Sequence, residues 1–309
     1  MSDMPIAREV VLEICKNAAM SIPAIRKRRL SRPRAGERFT GVDEDLERYA
    51  FQSLRILWGT AGDLRDKTVF EIGPGDFLTS GLSILAAGAT SYSSTDRFVG
   101  DYSQLEGKDW YTAIESAWPR IFPDLPWPHW LDASNFPEAY PDRVFPMDLP
   151  IERAEDVGRF DIVCSFQVGE HVSDIDAFAR ASAVMLNPGG CAVHRIDFGP
   201  HGRWNALHPL AFLRVPEPLW RLMGSNRGLP NRRRLTEMVE AFERAGLDVT
   251  LSSVDVADVE PKDVSRLPSR LRGMTLESVA TLNAVFTCRH AEPSHLAIQP
   301  VLPAPDSLT

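Results

Sequence analysis

From Lys67 onward the chain alternates short apolar runs with amphipathic ones, and glycine marks many of the joins. "KTVFEIG" reads as a buried strand, "FLTSGLSILAAGA" as a helix and "TSYSSTD" as a second strand. After an interruption the pattern resumes with the strand "GRFDIVCSFQ", the helix "VSDIDAFARASAVML" and a proline–glycine turn feeding the strand "NPGGCAVHRIDFG". "RRRLTEMVEAFERAGLDVTLSSVDV" adds a helix and a strand, and "SRLRGMTLESVATLNAVFTCR" a last helix-to-strand passage. Strands alternating with helices build a mostly parallel sheet covered on both faces. The predicted fold is therefore α/β: a doubly wound, Rossmann-like, mostly parallel seven-stranded sheet.

The sheet does not use the whole chain. Residues 1–65 are predicted as an N-terminal helical cap, with apolar residues at helical spacing in "MPIAREVVLEICKNAAM" and "VDEDLERYAFQSLRILWGTAG". The sheet domain spans 66–290 and carries two insertions, at about 98–147 and 200–231. Residues 291–309 are proline-rich and predicted as a flexible tail. The first insertion holds Trp110, Trp118, Trp127 and Trp130, four of the seven tryptophans, and rings of that size need something to pack against.

Composition narrows the function. A net charge of −8 argues against a general nucleic-acid binder, which needs a basic footprint. The local exception, "RKRRLSRPR" at 26–34, reads as a solvated linker, with an anionic partner as the alternative. Cys15, Cys164, Cys191 and Cys288 show no C-x-x-C spacing, and three of them sit in apolar strand-like runs. That pattern fits free thiols in a reducing compartment and no zinc cluster. No apolar run approaches the ~20 residues of a membrane span, and no signal-peptide pattern opens the chain. The expectation is a cytoplasmic protein without a membrane partner.

In a doubly wound sheet, ligands gather beyond the carboxyl ends of the strands. The first strand ends in "VFEIGPGDF", with Glu71 before Gly73 and Gly75. A dinucleotide elbow is usually G-x-G-x-x-G, opening a helix whose N-terminus takes the pyrophosphate. Here the third glycine is missing, and Asp76 would repel a phosphate from the first helical turn. The elbow suits a ligand without phosphates and with a positive end. S-adenosylmethionine has both properties, and a nicotinamide dinucleotide is the alternative. The second strand ends in Asp96 and Arg97, at close to the ~20-residue offset of a ribose-binding carboxylate. Asp148 and Leu149 follow "VFPM", where a carboxylate and a backbone N–H can address an adenine.

"VFEIGPGDF", "STDRF", "MDLP", "RFDIVCSFQVGEHV" and "LNPGGCAVHRID" together resemble class I S-adenosylmethionine-dependent methyltransferases, in the family's order, over about residues 67–290. "HRIDFGPHG" followed by "NRRRLTEMVEAFERAG" is similar to a branch of bacterial small-molecule or glycan-cluster methyltransferases. The resemblance implies S-adenosylmethionine as cofactor and methyl transfer to an O or N nucleophile of a small molecule or glycan precursor. It further implies that Glu71, Gly73 and Gly75 hold the amino-acid end of the cofactor, Asp96 with Arg97 the ribose, Asp148 with Leu149 the adenine, and Phe166 with Gln167 its far side. The Trp/Pro insertion after Asp96 departs from the family pattern and leaves the substrate class open.

Transfer from a sulfonium asks for in-line placement of the nucleophile and, for a hydroxyl, a base. The candidates are His171 and Glu170 after the fourth strand, and His194, Asp197 and His201 around the fifth. His194 is also readable as a satisfied core residue, and His201 as part of a lid. No metal site is expected, because no spacing forces His194, Asp197 and His201 together. The two insertions are expected to wall the acceptor pocket, with aromatic rings suited to a sugar face, an aromatic ring or an apolar chain. A methyltransferase-like fold that binds the cofactor without transferring methyl is the non-enzymatic alternative.

Overall fold

The computed structural model describes residues 4–25, 43–96, 102, 105–151, 157–225 and 229–291. Seven strands form one sheet in the order β3-β2-β1-β4-β5-β7-β6. They are β1 (Thr68–Ile72), β2 (Ser91–Thr95), β3 (Val144–Met147), β4 (Phe160–Phe166), β5 (Leu186–Asp197), β6 (Leu247–Val256) and β7 (Thr281–His290). Pairing is parallel from β3 through β5, and β7 runs antiparallel to both β5 and β6. The mostly parallel seven-stranded sheet read from the sequence is the one observed. β1 and β4 are buried along most of their length, as central strands covered on both faces must be. β2 is equally buried although it reads "SYSST", because its small hydroxyl side chains fit under the flanking helices.

The turn predicted before the fifth strand is a bulge inside it. Phe160 pairs with Leu186, but Ile162 pairs with Cys191, so the chain from Asn187 to Gly190 is looped out. Gly190 fits there because a Cβ would stand 2.8 Å from the Asp161 carbonyl oxygen.

Helices cover both faces. We label α1 (Met4–Met20), α2 (Asp43–Leu46), α3 (Gln52–Thr60), α4 (Thr79–Ala86), α5 (Leu105–Ile121), α6 (Ile175–Val184), α7 (Glu217–Gly224) and α8 (Leu235–Arg244). A π-helical turn, Glu47–Phe51, joins α2 to α3. One core packs α3, α4 and α5 on the sheet through Phe51, Leu54, Leu82, Trp110 and Trp118. The opposite core is built on Phe178 of α6 and on Met238 and Phe242 of α8. Asp174 caps α6, its carboxylate accepting the Ala177 N–H at 2.9 Å.

The N-terminal helices pack on two different clusters. Ile6, Val10 and Ile14 of α1 pack on a third cluster around Trp204, Leu213, Trp220 and Met223, in the second insertion. Asn17 of α1 fixes this contact by donating to Leu222 O and Ser225 Oγ, both at 2.8 Å. The helices α2 and α3 lie instead against the first insertion, where Phe51 meets Trp118 and Phe122 edge-on. The basic run at 26–34 and the tail from 292 lie outside the described residues.

Candidate active site at the carboxyl ends of the strands

The sheet order places the ends of β3, β2, β1 and β4 side by side, and these ends carry the four donor-side motifs. At the end of β1, Gly73 and Gly75 have φ of +72° and +87°, a left-handed backbone that side chains disfavour. The Gly73 N–H donates to Thr95 O at 2.7 Å, and the Gly75 N–H reaches Asp96 Oδ2 at 3.4 Å. The elbow and the carboxylate after β2 therefore form one unit. A Cβ on Gly73 would stand 2.6 Å from Val168 Cγ2, so the elbow also packs on the turn after β4. The Thr95 hydroxyl donates to Leu149 O, tying β2 to the segment after β3. Asp148 is exposed and Leu149 half-buried there. Phe166 is half-buried at the end of β4, and Gln167 is exposed with φ of +60°. Arg97 lies outside the described residues.

Glu71 has a supporting contact beneath the elbow. It is 2 % exposed, and its Oε2 accepts from Ser80 Oγ and from Tyr92 OH, each at 2.5 Å. Burial pushes its carboxyl up to about 7 against these two hydrogen bonds. Through Oε2 the side chain braces the elbow from beneath.

The helix start is also unlike a phosphate seat. The Leu78 N–H is taken by Tyr111 OH at 3.1 Å, and that hydroxyl donates onward to Tyr102 O at 3.2 Å. Thr79 and Ser80 are buried, bonded to Tyr49 O and Glu71. Asp76 lies before α4 rather than in its first turn, which corrects the placement inferred from sequence. What keeps a pyrophosphate from this N-terminus is the buried tyrosine as much as the acid.

Of the residues read from the sequence as acceptor candidates, all but His194 gather beyond β4 and β5. Asp197 Oδ2 lies 3.2 Å from His201 Nε2, while Asp197 Oδ1 accepts the Gly199 N–H at 2.7 Å. Burial works against the Asp197 carboxylate, but the His201 and Gly199 hydrogen bonds hold it below its ordinary range. His171 is exposed, its ring centroid 5.3 Å from that of His201. Glu170 is buried beside them, and burial raises its carboxyl to about 8. The backbone of Glu170 and Asp197 approaches its oxygens without closing a well-formed hydrogen bond. Ligand atoms of Glu170, Asp197 and His201 all lie within 4.8 Å of one another.

His194 does not belong to this group. It is fully buried in mid-strand, stacked on Phe242 with ring planes 9° apart and facing Phe178 at 4.9 Å. Ser165 Oγ sits 2.8 Å from its Nδ1, and burial lowers its pKa to about 3. A neutral imidazole sealed among phenyl rings cannot reach an acceptor, so His194 is withdrawn as a base. The tryptophans are corrected likewise. Trp110 and Trp118 are core residues, Trp127 is half-buried with its N–H on Leu131 O, and Trp130 is the exposed ring, under Arg143.

Two residues missed in the sequence hold the acceptor side in place. Asn231 Nδ2 donates to Gly169 O at 2.8 Å and Val172 O at 3.0 Å, and its N–H donates to Glu170 O at 2.6 Å. Arg234, 1 % exposed, donates to Phe198 O, Val279 O and Thr281 O, fixing the end of β5 against the start of β7. Both stand in "NRRRL", and the only signal was polar side chains directly before an amphipathic helix. A pocket lined by Lys67, Asp161 and Gly190 opens at the opposite, amino-terminal ends of β1, β4 and β5.

A family model described as a methyltransferase domain matches residues 42–252. The chain belongs to this family: it carries a methyltransferase domain on a sheet of the class I order. Among solved structures it is similar to an O-methyltransferase family protein from Burkholderia thailandensis, with 12 % identity over 80 % of this chain, 58 % of that one and a TM-score of 0.45. It is also similar to an S-adenosylmethionine-dependent methyltransferase from Mesorhizobium loti, with 12 % identity, coverage of 81 % and 99 %, and a TM-score of 0.42. A third is the magnesium protoporphyrin IX methyltransferase of Synechocystis PCC 6803 with bound S-adenosylhomocysteine, with 12 % identity, coverage of 86 % and 93 %, and a TM-score of 0.43. The chain thus spans little more than half the length of the first of these. No protein of curated function matches it.

Proposed function

We propose that this enzyme methylates an oxygen or nitrogen nucleophile of a small molecule or glycan precursor, bound beyond β4 and β5. The observation that carries the reading is the adjacency of two groups of residues. The elbow and Asp96 lie at β1 and β2, and the elbow packs on Val168, whose carbonyl takes the N–H of His171; His171 in turn neighbours His201, the partner of Asp197. Bound S-adenosylmethionine supplies an activated methyl group. Gly73 and Gly75 let the backbone approach its amino-acid end, Asp96 accepts from the ribose hydroxyls, and Asp148 with the Leu149 N–H addresses the adenine. Phe166 and Gln167 close the far side.

His171 takes the acceptor's proton as a neutral imidazole, the side chain best suited to that task near pH 7. Asp197 orients His201 along the same wall. Arg203, whose guanidinium pairs with Glu9 of α1 at 2.8 Å, links α1 to the segment after His201, so the N-terminal helix borders the acceptor side. We take residues 66–290 as the catalytic domain, working in the cytoplasm without nucleic-acid or membrane partners. The thiols of Cys164, Cys191 and Cys288 are free and buried, in keeping with a reducing compartment. Among the described residues no helix is long and apolar enough to cross a membrane. Incubating the enzyme and S-adenosylmethionine with a panel of phenols, sugars and amines tests the acceptor class. A gain of one methyl mass on an O or N acceptor supports it, and transfer confined to carbon acceptors contradicts it.

A further inference from the structure

We propose that Glu170, Asp197 and His201 form a binding site for one divalent metal ion. Three elements bring these residues together. The turn after β4 supplies Glu170, the end of β5 supplies Asp197, and His201 immediately precedes the 3-10 turn Gly202–Ala206. Their ligand atoms lie within 4.8 Å of one another, and the Asp197–His201 pair is already at 3.2 Å. Carboxylate and imidazole ligands at about 2.0–2.2 Å from a common ion stand roughly 3–4.4 Å apart. The Asp197–His201 pair already has that spacing, and the widest pair would close by about 1–2 Å around a tetrahedral or facial ion.

Proximity of acids would not itself make a site. The independent observation is Glu170, which is 4 % exposed and has no hydrogen-bond partner on either carboxylate oxygen. An unpaired carboxylate is among the most costly groups to bury, and a protonated one would still hold an unused donor. A cation between Glu170, Asp197 and His201 resolves both. The surroundings fit a ligand set already oriented. Asp197 keeps Oδ1 on the Gly199 N–H, which leaves Oδ2 for the cluster. Asn231 clamps the turn that carries Glu170 through three hydrogen bonds. Supporting contacts of this kind orient metal ligands in general.

One imidazole and two carboxylates suit a borderline ion such as Mn²⁺, Fe²⁺, Co²⁺ or Zn²⁺, and three protein ligands leave coordination positions open. On the methyl-transfer reading, an open position would take the acceptor's hydroxyl oxygen and lower its pKa as a Lewis acid does. That role rests on the reading above, whereas ion binding does not. The acceptor class becomes one with an ionisable hydroxyl that can coordinate.

The test uses the full chain, stripped with a chelator and titrated with Mn²⁺ in the absence of S-adenosylmethionine, followed by electron paramagnetic resonance. A Co²⁺ titration followed by visible absorption reports on the imidazole ligand. One ion per chain is expected, with affinity falling at least about tenfold in Glu170→Gln and in His201→Ala. Glu170→Gln is isosteric, and a thermal melt establishes that it is folded. No stoichiometric binding of Mn²⁺ or Co²⁺, or equal affinity in folded Glu170→Gln, would overturn the site. Cofactor affinity, measured separately in the stripped protein, distinguishes failure of the donor reading from failure of this one.

Discussion

The hydroxyl of Tyr92 donates to the carboxylate of Glu71 at 2.5 Å, directly beneath the glycine elbow of β1. The same ring lies against Gly81, where a Cβ would stand 2.5 Å from Tyr92 Cε1. One acid on β1 and one tyrosine on β2 thus fix the elbow and α4 together. The acid that marks the motif in the sequence is thus tied through Oε2 into the packing beneath the elbow.

That arrangement predicts a pH signature. Burial raises the Glu71 carboxyl from an ordinary 4.5 to about 7, so between these values the folded protein holds a proton that the unfolded chain has released. Its contribution to stability is full below pH 4.5 and is lost as pH rises through 7. Glu71→Gln keeps the hydrogen-bonding shape without the titration. Denaturant unfolding of both proteins from pH 4 to pH 8 should show the variant gaining stability relative to wild type as pH rises. A pH-independent difference would mean that the Glu71 carboxyl titrates alike in the folded and unfolded protein.

His194 titrates in the opposite sense. Its folded pKa is lowered to about 3 from 6.5, so as pH falls between these values the unfolded chain takes up the proton first and stability is lost. His194→Ala also opens a cavity among Phe178 and Phe242, and should cost roughly 2–4 kcal/mol at pH 7. Cofactor affinity of the folded variant should be unchanged. A thermal melt and a binding titration on the same sample check both statements, and turnover abolished in a stably folded variant would restore His194 as a base.

The sheet and the donor side were legible because their signals are local. Apolar runs, glycine joins and an acid at each strand end are properties of a few neighbouring residues. The misreadings share another cause. His194 sits in a strand buried on both faces, where no alternation separates a core position from a pocket wall. Trp110 and Trp118 looked like pocket walls because the helices that bury them, around Phe51, come some sixty residues earlier. The split of the N-terminal helices between two clusters depends on the pairing of α1 with α7, about 200 residues apart in the chain. Glu170 was legible as an acid beside a histidine, but its burial arises from the clamp by Asn231 and from the close approach of Gly169 to Ile196.

Asn231 offers a test of positioning as distinct from chemistry. Asn231→Ala removes both side-chain hydrogen bonds to the turn at 169–172, each worth about 0.5–1.5 kcal/mol. Turnover should fall several-fold while the pH–rate profile keeps its shape, since no proton-transfer group is lost. A shift in the limbs of that profile would instead place Asn231 in direct contact with the acceptor.

Replacement of the base should look different. His171→Ala should lower turnover by about 10²–10⁴ and remove the acidic limb of the pH–rate profile, with cofactor affinity near wild type. Steady-state rates from pH 5 to pH 9 on any accepted substrate decide this. Full turnover with an unchanged profile would leave placement of the nucleophile, with or without an ion at Glu170, Asp197 and His201, as the source of rate.

The central claim is that the elbow at Gly73 and Gly75, with Asp96 beside it, seats a phosphate-free adenosyl cofactor. Calorimetric titration of S-adenosylmethionine, S-adenosylhomocysteine and NAD, on wild type and on Asp96→Ala, tests it most directly. Both adenosyl sulfur compounds should bind in preference to NAD. It also predicts a loss of about 2 kcal/mol or more in Asp96→Ala, because charge-assisted hydrogen bonds from two ribose hydroxyls are each worth about 1.5–3 kcal/mol. Tighter binding of NAD, or an unchanged dissociation constant in a folded Asp96→Ala variant, would contradict it.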